Sequence, residues 1–387
     1  MGNKMNHFFL RHHAHQAAKI LYSFIALAFL LMPVNTWASS IQPYDFDGKF
    51  KTITKVWNPE VALYVAKKFA AEHGENEQNV SVTKLNAGAT NNFIYLVFIE
   101  KQLKFVLKGI GAKEEAEALL LLQEDAQIKN LENNPAAAKV CLSKAVHYYK
   151  TTDTRHIYYF AILEAAQGKE LFKIMTDALL NTKDINELSD VFYDAGKQIS
   201  ELHKTLIGFD RFITPEQMMT IIHDDFHPEN TFYDLGTKKF SLIDNESMAH
   251  SITHPMLIVR EIYGLYEVPV IRWPSEKISV DLLKDADAHD IATVYIELIK
   301  GMASIYQDPK AAASVFTRQI IELNNKSQAF LKDSRSEPWM LNPQDKSETH
   351  IVWGKLSHAV WDTKLNNLYQ AKLTIINQDM KSYLDSL

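Results

Sequence analysis

The chain has 387 residues, 47% of them hydrophobic and 23% charged, with a formal net charge of −6. That length suffices for two lobes around a large core, and the composition excludes a mainly disordered chain. The acidic balance excludes a general nucleic-acid binder, which needs a basic surface against the phosphates. Residues 1–19 carry Lys4, Arg11 and Lys19 and no acid, an apolar block runs from Ile20 to Pro33, and small residues surround Ala38. This is the pattern of a secretory signal peptide over 1–38, cut after Ala38; the block is short for a membrane span, which makes an uncleaved anchor the lesser alternative. The expected product is secreted or periplasmic, with no stable membrane span after cleavage. Cys141 is the sole cysteine, so the exported chain forms no internal disulfide.

Downstream, Val80 to Leu85 and Phe93 to Phe98 are rich in Val, Ile, Tyr and Phe and predict strands. They flank the small polar turn Asn86 to Asn92, where backbone amides around Gly88 could approach phosphates. Leu103 to Lys108 predicts a third strand that ends in a lysine. From Lys113 the strong helix formers Glu114 to Leu122 predict a helix. A second apolar run, Ile157 to Leu163, leads into Glu164-Ala165-Ala166. Ile185, Leu188, Val191, Phe192, Ala195, Ile199 and Leu202 recur at helical spacing, and Thr214-Pro215 offers a further helix start.

The chemistry concentrates in His223-Asp224-Asp225-Phe226-His227-Pro228-Glu229-Asn230 and in Leu242-Ile243-Asp244-Asn245-Glu246. Between them, Thr231 to Tyr233 and Phe240 to Ile243 predict a hairpin around the turn Asp234 to Lys239, which contains Gly236. A hairpin brings its ends together, so Asn230 and Asp244 can share a metal. One carboxylate to position a hydroxyl, with an Asn and a second carboxylate on magnesium, is the set that phosphoryl transfer needs. A metal hydrolase built from His223, Asp225, His227 and Glu229, completed by His203, His250 or His254, is the competing reading. It gives no reason for the hairpin and the acidic turn that follow.

These two motifs resemble the catalytic and metal-binding loops of the aminoglycoside phosphotransferase and choline kinase superfamily, whose usual form is HGDxHxxN followed by IDxE. The resemblance implies an α+β, bilobal protein-kinase-like fold: a small β-rich nucleotide lobe over 39–163 and a larger, mostly helical lobe over 164–387. It implies Asp225 as the catalytic Asp, His223 as the His that orients its loop, and Asn230 and Asp244 as ligands of Mg2+. For ATP it implies Lys108 on the phosphates, Glu115 as the partner of Lys108, Gly88 in the phosphate turn, and the backbone from Glu164 to Ala166 against the adenine. Glu114 and Glu117 compete with Glu115 for Lys108. Asp224, Glu229 and Asn245 depart from the usual pattern, standing where the family has Gly, often Gly, and often an aromatic.

The expected reaction is transfer of the ATP γ-phosphate to a hydroxyl of a small molecule, an amino alcohol or amino sugar. The alternatives are a secreted effector kinase acting on protein or lipid, and a nucleotide-binding pseudokinase. Because ATP is scarce outside cells, delivery into a host cell is one way for an exported kinase to meet its nucleotide. For the acceptor, Tyr263, Tyr266, Trp273, Tyr295, Tyr306, Trp339, Trp353 and Trp361 offer rings to an ammonium group, or are simply core. Glu246, Glu261 and Asp362 are the acids that could complete an amine pocket.

Overall fold

A computed structural model describes residues 58–85, 93–150, 157–180, 185–207, 220–221, 223, 230–249, 252–253, 282–333 and 362–387. Its first element, helix α1 (Pro59–Glu72), starts on an Asn58 side chain that accepts from the Val61 amide at 3.0 Å, with Pro59 at the first position. Its apolar face, Val61, Ala62, Val65, Ala66, Phe69 and Ala70, is buried. Strands β1 (Val80–Lys84), β2 (Ile94–Ile99) and β3 (Gln102–Ile110) follow. Then come helices α2 (Lys113–Glu124) and α3 (Ala126–Asn130), and strands β4 (Lys139–Val140), β5 (Ser143–Lys150) and β6 (Ile157–Glu164).

Five of these strands form an antiparallel sheet in the order β1-β2-β3-β6-β5. Side chains alternate across a strand, and β3 uses both faces. Phe105 packs edge-on against Phe69 of α1, with ring centroids 5.1 Å apart, while Lys108 lies on the opposite face and reaches α2. Lys108 pairs with Ile94 and Ala161 in mid-strand rather than at the strand end expected from the sequence, because β3 continues to Ile110.

After β6 a short connection leads to β7 (Lys169–Glu170), α4 (Leu171–Leu180) and the long helix α5 (Ile185–Ile207). Gly168 in that connection has φ +92, and a Cβ there would overlap the Tyr233 backbone, so only glycine fits. Strand β8 (Thr220–Ile221) comes next, then the hairpin β9 (Thr231–Asp234) and β10 (Lys239–Leu242), and β11 (Ile252–Thr253) pairs with β8. The hairpin sits within a second sheet, ordered β4-β10-β9-β7. Its turn closes as the Asp234 carboxylate accepts from the Gly236 amide at 2.8 Å.

The remaining described helices are α6 (Leu282–Asp285), α7 (Ala288–Ala303), α8 (Pro309–Lys332) and α9 (Thr363–Ser386). They bury a core with α5, whose Val191, Phe192, Ala195, Ile199, Leu202 and Leu206 face inward at the expected spacing. Ile128, Leu131, Ala138 and Val140 join this same core, so the stretch from α3 to β4 packs with the helices although it precedes β5 and β6. The result is an α+β molecule, sheet-rich before Glu164 and mainly helical after it. Among the described residues no helix is long and apolar enough to cross a membrane.

Candidate functional site

The side chain of Lys108 is the centre of the site. Its ammonium lies 2.9 Å from a Glu115 carboxylate oxygen, 2.5 Å from Asp244 and 2.9 Å from Glu246. The Asp244 and Glu246 contacts are hydrogen bonds, whereas Glu115 is held by charge without that alignment. Strand β3, the third residue of α2 and the end of a hairpin more than a hundred residues later thus converge on one cation. Glu117 pairs instead with Lys113 along the surface of α2 at 2.9 Å, and Glu114 is exposed.

The lysine side chain is only 12% exposed. Burial alone would lower its pKa, but Asp244, Glu246 and Glu115 outweigh it and hold the ammonium well above the usual lysine range. Glu246 takes the opposite strain. Burial pushes its carboxyl up to about 7, with Lys108 pulling down and Asp244 pushing further up. Three carboxylates around one cation leave an excess of negative charge.

The turn that carries Asp244 is fixed on both sides. The Ile243 amide donates to the Asn230 carbonyl at 3.0 Å, extending the pairing of Thr231 with Leu242 by one step. The Ile243 carbonyl accepts from Nε2 of the buried His223 at 2.8 Å, which requires the tautomer protonated at Nε2. Asp244 itself has φ +63, a left-handed conformation that Asp adopts more readily than most residues. Beyond it the short helical turn Asn245–Ala249 packs beside α2.

Asn230 and Asp244 therefore flank the last paired step of the hairpin, Asn230 through its carbonyl and Asp244 one residue beyond Ile243, and both residue types offer oxygen of the kind a hard divalent ion takes. The excess carboxylate charge and a buried Glu246 Oε2 that makes no hydrogen bond fit a cation here as well. Glu164 ends β6, where its amide donates to the Leu142 carbonyl at 3.0 Å and its carboxylate pairs with Lys144 and, at 3.1 Å, with Lys139. The Glu164 amide is thereby taken within the sheet, so of the expected stretch Glu164 to Ala166 only the two residues beyond the strand keep the expectation of a free backbone donor. Gly88, Asp225 and residues 1–38 lie outside the described residues, as do His250, His254, Glu261, Tyr263, Tyr266, Trp273, Trp339, Trp353 and Trp361.

Of the rings and acids named for an acceptor pocket, the described ones have other places, and for the two tyrosines it is the core alternative that holds. Tyr295 and Tyr306 are buried core residues, and Tyr306 packs edge-on to Phe316. Asp362 caps α9, accepting from the Lys364 and Leu365 amides at 2.9 and 3.1 Å. Glu246 meets Lys108 through one carboxylate oxygen. Its position two residues after Asp244, in the same turn, was the available signal.

The antiparallel sheet with its strand lysine and helix glutamate, the short connection, and the helical part bearing an acidic hairpin end follow one another in the order that the sequence resemblance implies, within an α+β molecule. The chain is similar to a choline kinase from Cryptosporidium parvum Iowa II, with TM-score 0.37 and 13% identity over 85% of this chain and 97% of that one. It is also similar to the PknI kinase domain of Mycobacterium tuberculosis, with TM-score 0.32 and 11% identity over 62% of this chain and 96% of that one. No protein-family model matches the chain, and no curated protein matches it.

Proposed function

We propose that this chain is a magnesium-dependent phosphotransferase that moves the γ-phosphate of ATP to a hydroxyl group of a small molecule. The observation that supports it most is the meeting of Lys108 with both Glu115 and Asp244. In this reading Glu115 orients the lysine so that its ammonium can bind phosphate oxygens. Asn230 and Asp244 hold Mg2+, which when bound supplies charge to offset that of the transferring phosphoryl group. His223 fixes the carbonyl next to Asp244, and Asp225, assigned from the sequence motif, orients the acceptor hydroxyl and takes its proton. Ala166 presents its amide to the adenine.

An amino alcohol or amino sugar remains the proposed acceptor class, carried by the sequence resemblance. Asp225→Asn tests the chemistry. Turnover of ATP with acceptor should fall by about two to four orders of magnitude, the range for loss of a positioned base. ATP affinity should stay within a few-fold, since Asp225 touches the acceptor and not the nucleotide. Undiminished turnover in Asp225→Asn would remove the assignment.

A further inference from the structure

The geometry points to Asn245 as a positioning residue for the metal-binding turn, acting through the backbone of Cys141; the inference rests on the phosphotransferase reading above. Asn245 is 1% exposed, and its Nδ2 donates to the Cys141 carbonyl at 2.8 Å. The Cys141 amide in turn donates to the Leu242 carbonyl at 2.9 Å. Residues 242 and 245 therefore grip Cys141 from both ends of the four-residue stretch that contains Asp244. The anchor is itself secured, since Lys139 and Val140 pair with Ser241 and Leu242, and Leu142 accepts from the Glu164 amide.

The polar side chain is not there for packing alone. Its Oδ1 is also buried and makes no hydrogen bond, an arrangement that disfavours Asn relative to an apolar residue of the same shape. What Asn supplies, and an apolar residue would not, is the donor to Cys141. On the other flank of Asp244, the His223 and Asn230 bonds hold the Ile243 peptide. A carboxylate at φ +63 is thus pinned on its N-terminal side by His223 and on its C-terminal side by Asn245. Partners that orient a ligand change metal affinity even though they never touch the ion, typically by about 10- to 100-fold.

Asn245→Leu, close to isosteric, removes the donor and the orphaned oxygen together; Asn245→Ala serves as the second variant should Leu prevent folding. Calorimetric titration of ATP at a series of Mg2+ concentrations, with the melting temperature of each variant, decides the matter. The expected result is a half-saturating Mg2+ concentration raised about tenfold or more, with a melting temperature for the Leu variant within a few degrees of wild type. A folded variant with the wild-type Mg2+ requirement would reduce Asn245 to a structural residue and overturn the inference. Wild-type protein that binds ATP with no Mg2+ requirement would instead defeat the underlying phosphotransferase reading, and the inference with it.

Discussion

Lys108 is a residue whose environment is set by three others, and its removal separates electrostatics from packing. Lys108→Met keeps the stem and leaves Glu115, Asp244 and Glu246 facing one another without a cation. Breaking a fully buried ion pair costs about 3–5 kcal/mol and an exposed one less than about 1 kcal/mol. These carboxylates are 24–38% exposed around a lysine that is 12% exposed, so a loss of about 2 kcal/mol is expected. The pH dependence has a definite sign. Glu246 already sits at about 7 in the fold, and without the lysine it climbs further above its unfolded value. A group raised in the fold contributes stability below its unfolded pKa and loses it as pH rises, so the deficit of the variant should be smaller at about pH 5.5 than at about pH 8. Urea unfolding at the two pH values tests this, and an equal deficit at both would show that packing, not charge, was lost. Asp244 was legible in the sequence because it lies within a motif of fixed residue types, and Lys108 from the order of strand, lysine and acidic helix start, although its place in mid-strand was not foreseen. The role of Asn245 was not, since its partner is a backbone carbonyl 104 residues away and no side-chain pattern announces it.

At the scale of elements, α5 and α7 approach until their backbones touch. A Cβ at Gly196 would overlap the Leu298 carbonyl, and one at Gly301 would overlap the Tyr193 carbonyl. Ala in place of Gly ordinarily stabilises a helix by about 1 kcal/mol, but forcing packed backbones apart costs about 3 kcal/mol, so the clash wins. Gly196→Ala and Gly301→Ala should each lose about 2 kcal/mol in urea unfolding. Gly111→Ala, where the added methyl meets nothing within 4 Å, is the control and should be near neutral. Unchanged stability in the first two would mean that the helices do not meet at these glycines. Elements with strong periodicity, such as α5 and the β9–β10 hairpin, could be read from residue types alone. The turn between β2 and β3 could not: Glu100 and Lys101 both adopt positive φ, 52 and 66, without the Gly or Asn that normally marks such a turn. Strand β4 escaped for a different reason, being two residues long and defined only by its parallel pairing with β10.

For the whole molecule, acid sensitivity follows from two buried histidines. Burial lowers His147 to about 4 and His203 to about 3, the latter aided by His223, so the fold keeps both imidazoles neutral while the unfolded chain protonates them. Groups depressed in this way contribute stability above their unfolded pKa of about 6.5 that is lost as pH falls toward the folded values. Glu246 acts in the reverse direction, losing its contribution as pH rises through about 7. Two histidines outweigh one carboxyl, so the melting temperature should climb from about pH 4.5 to about pH 6.5 and flatten near neutrality. A melting temperature constant across that interval would contradict the burial of these histidines. In the function proposed above, Lys108, Asn230 and Asp244 form one site for a nucleotide and its magnesium ion. Calorimetry of ATP binding with and without Mg2+, on wild type, Lys108→Ala and Asp244→Ala of verified fold, addresses it directly. Mg2+-enhanced binding is expected in wild type, no enhancement in Asp244→Ala, and weak binding with or without the ion in Lys108→Ala. Equal Mg2+-dependent affinity in all three proteins would contradict it.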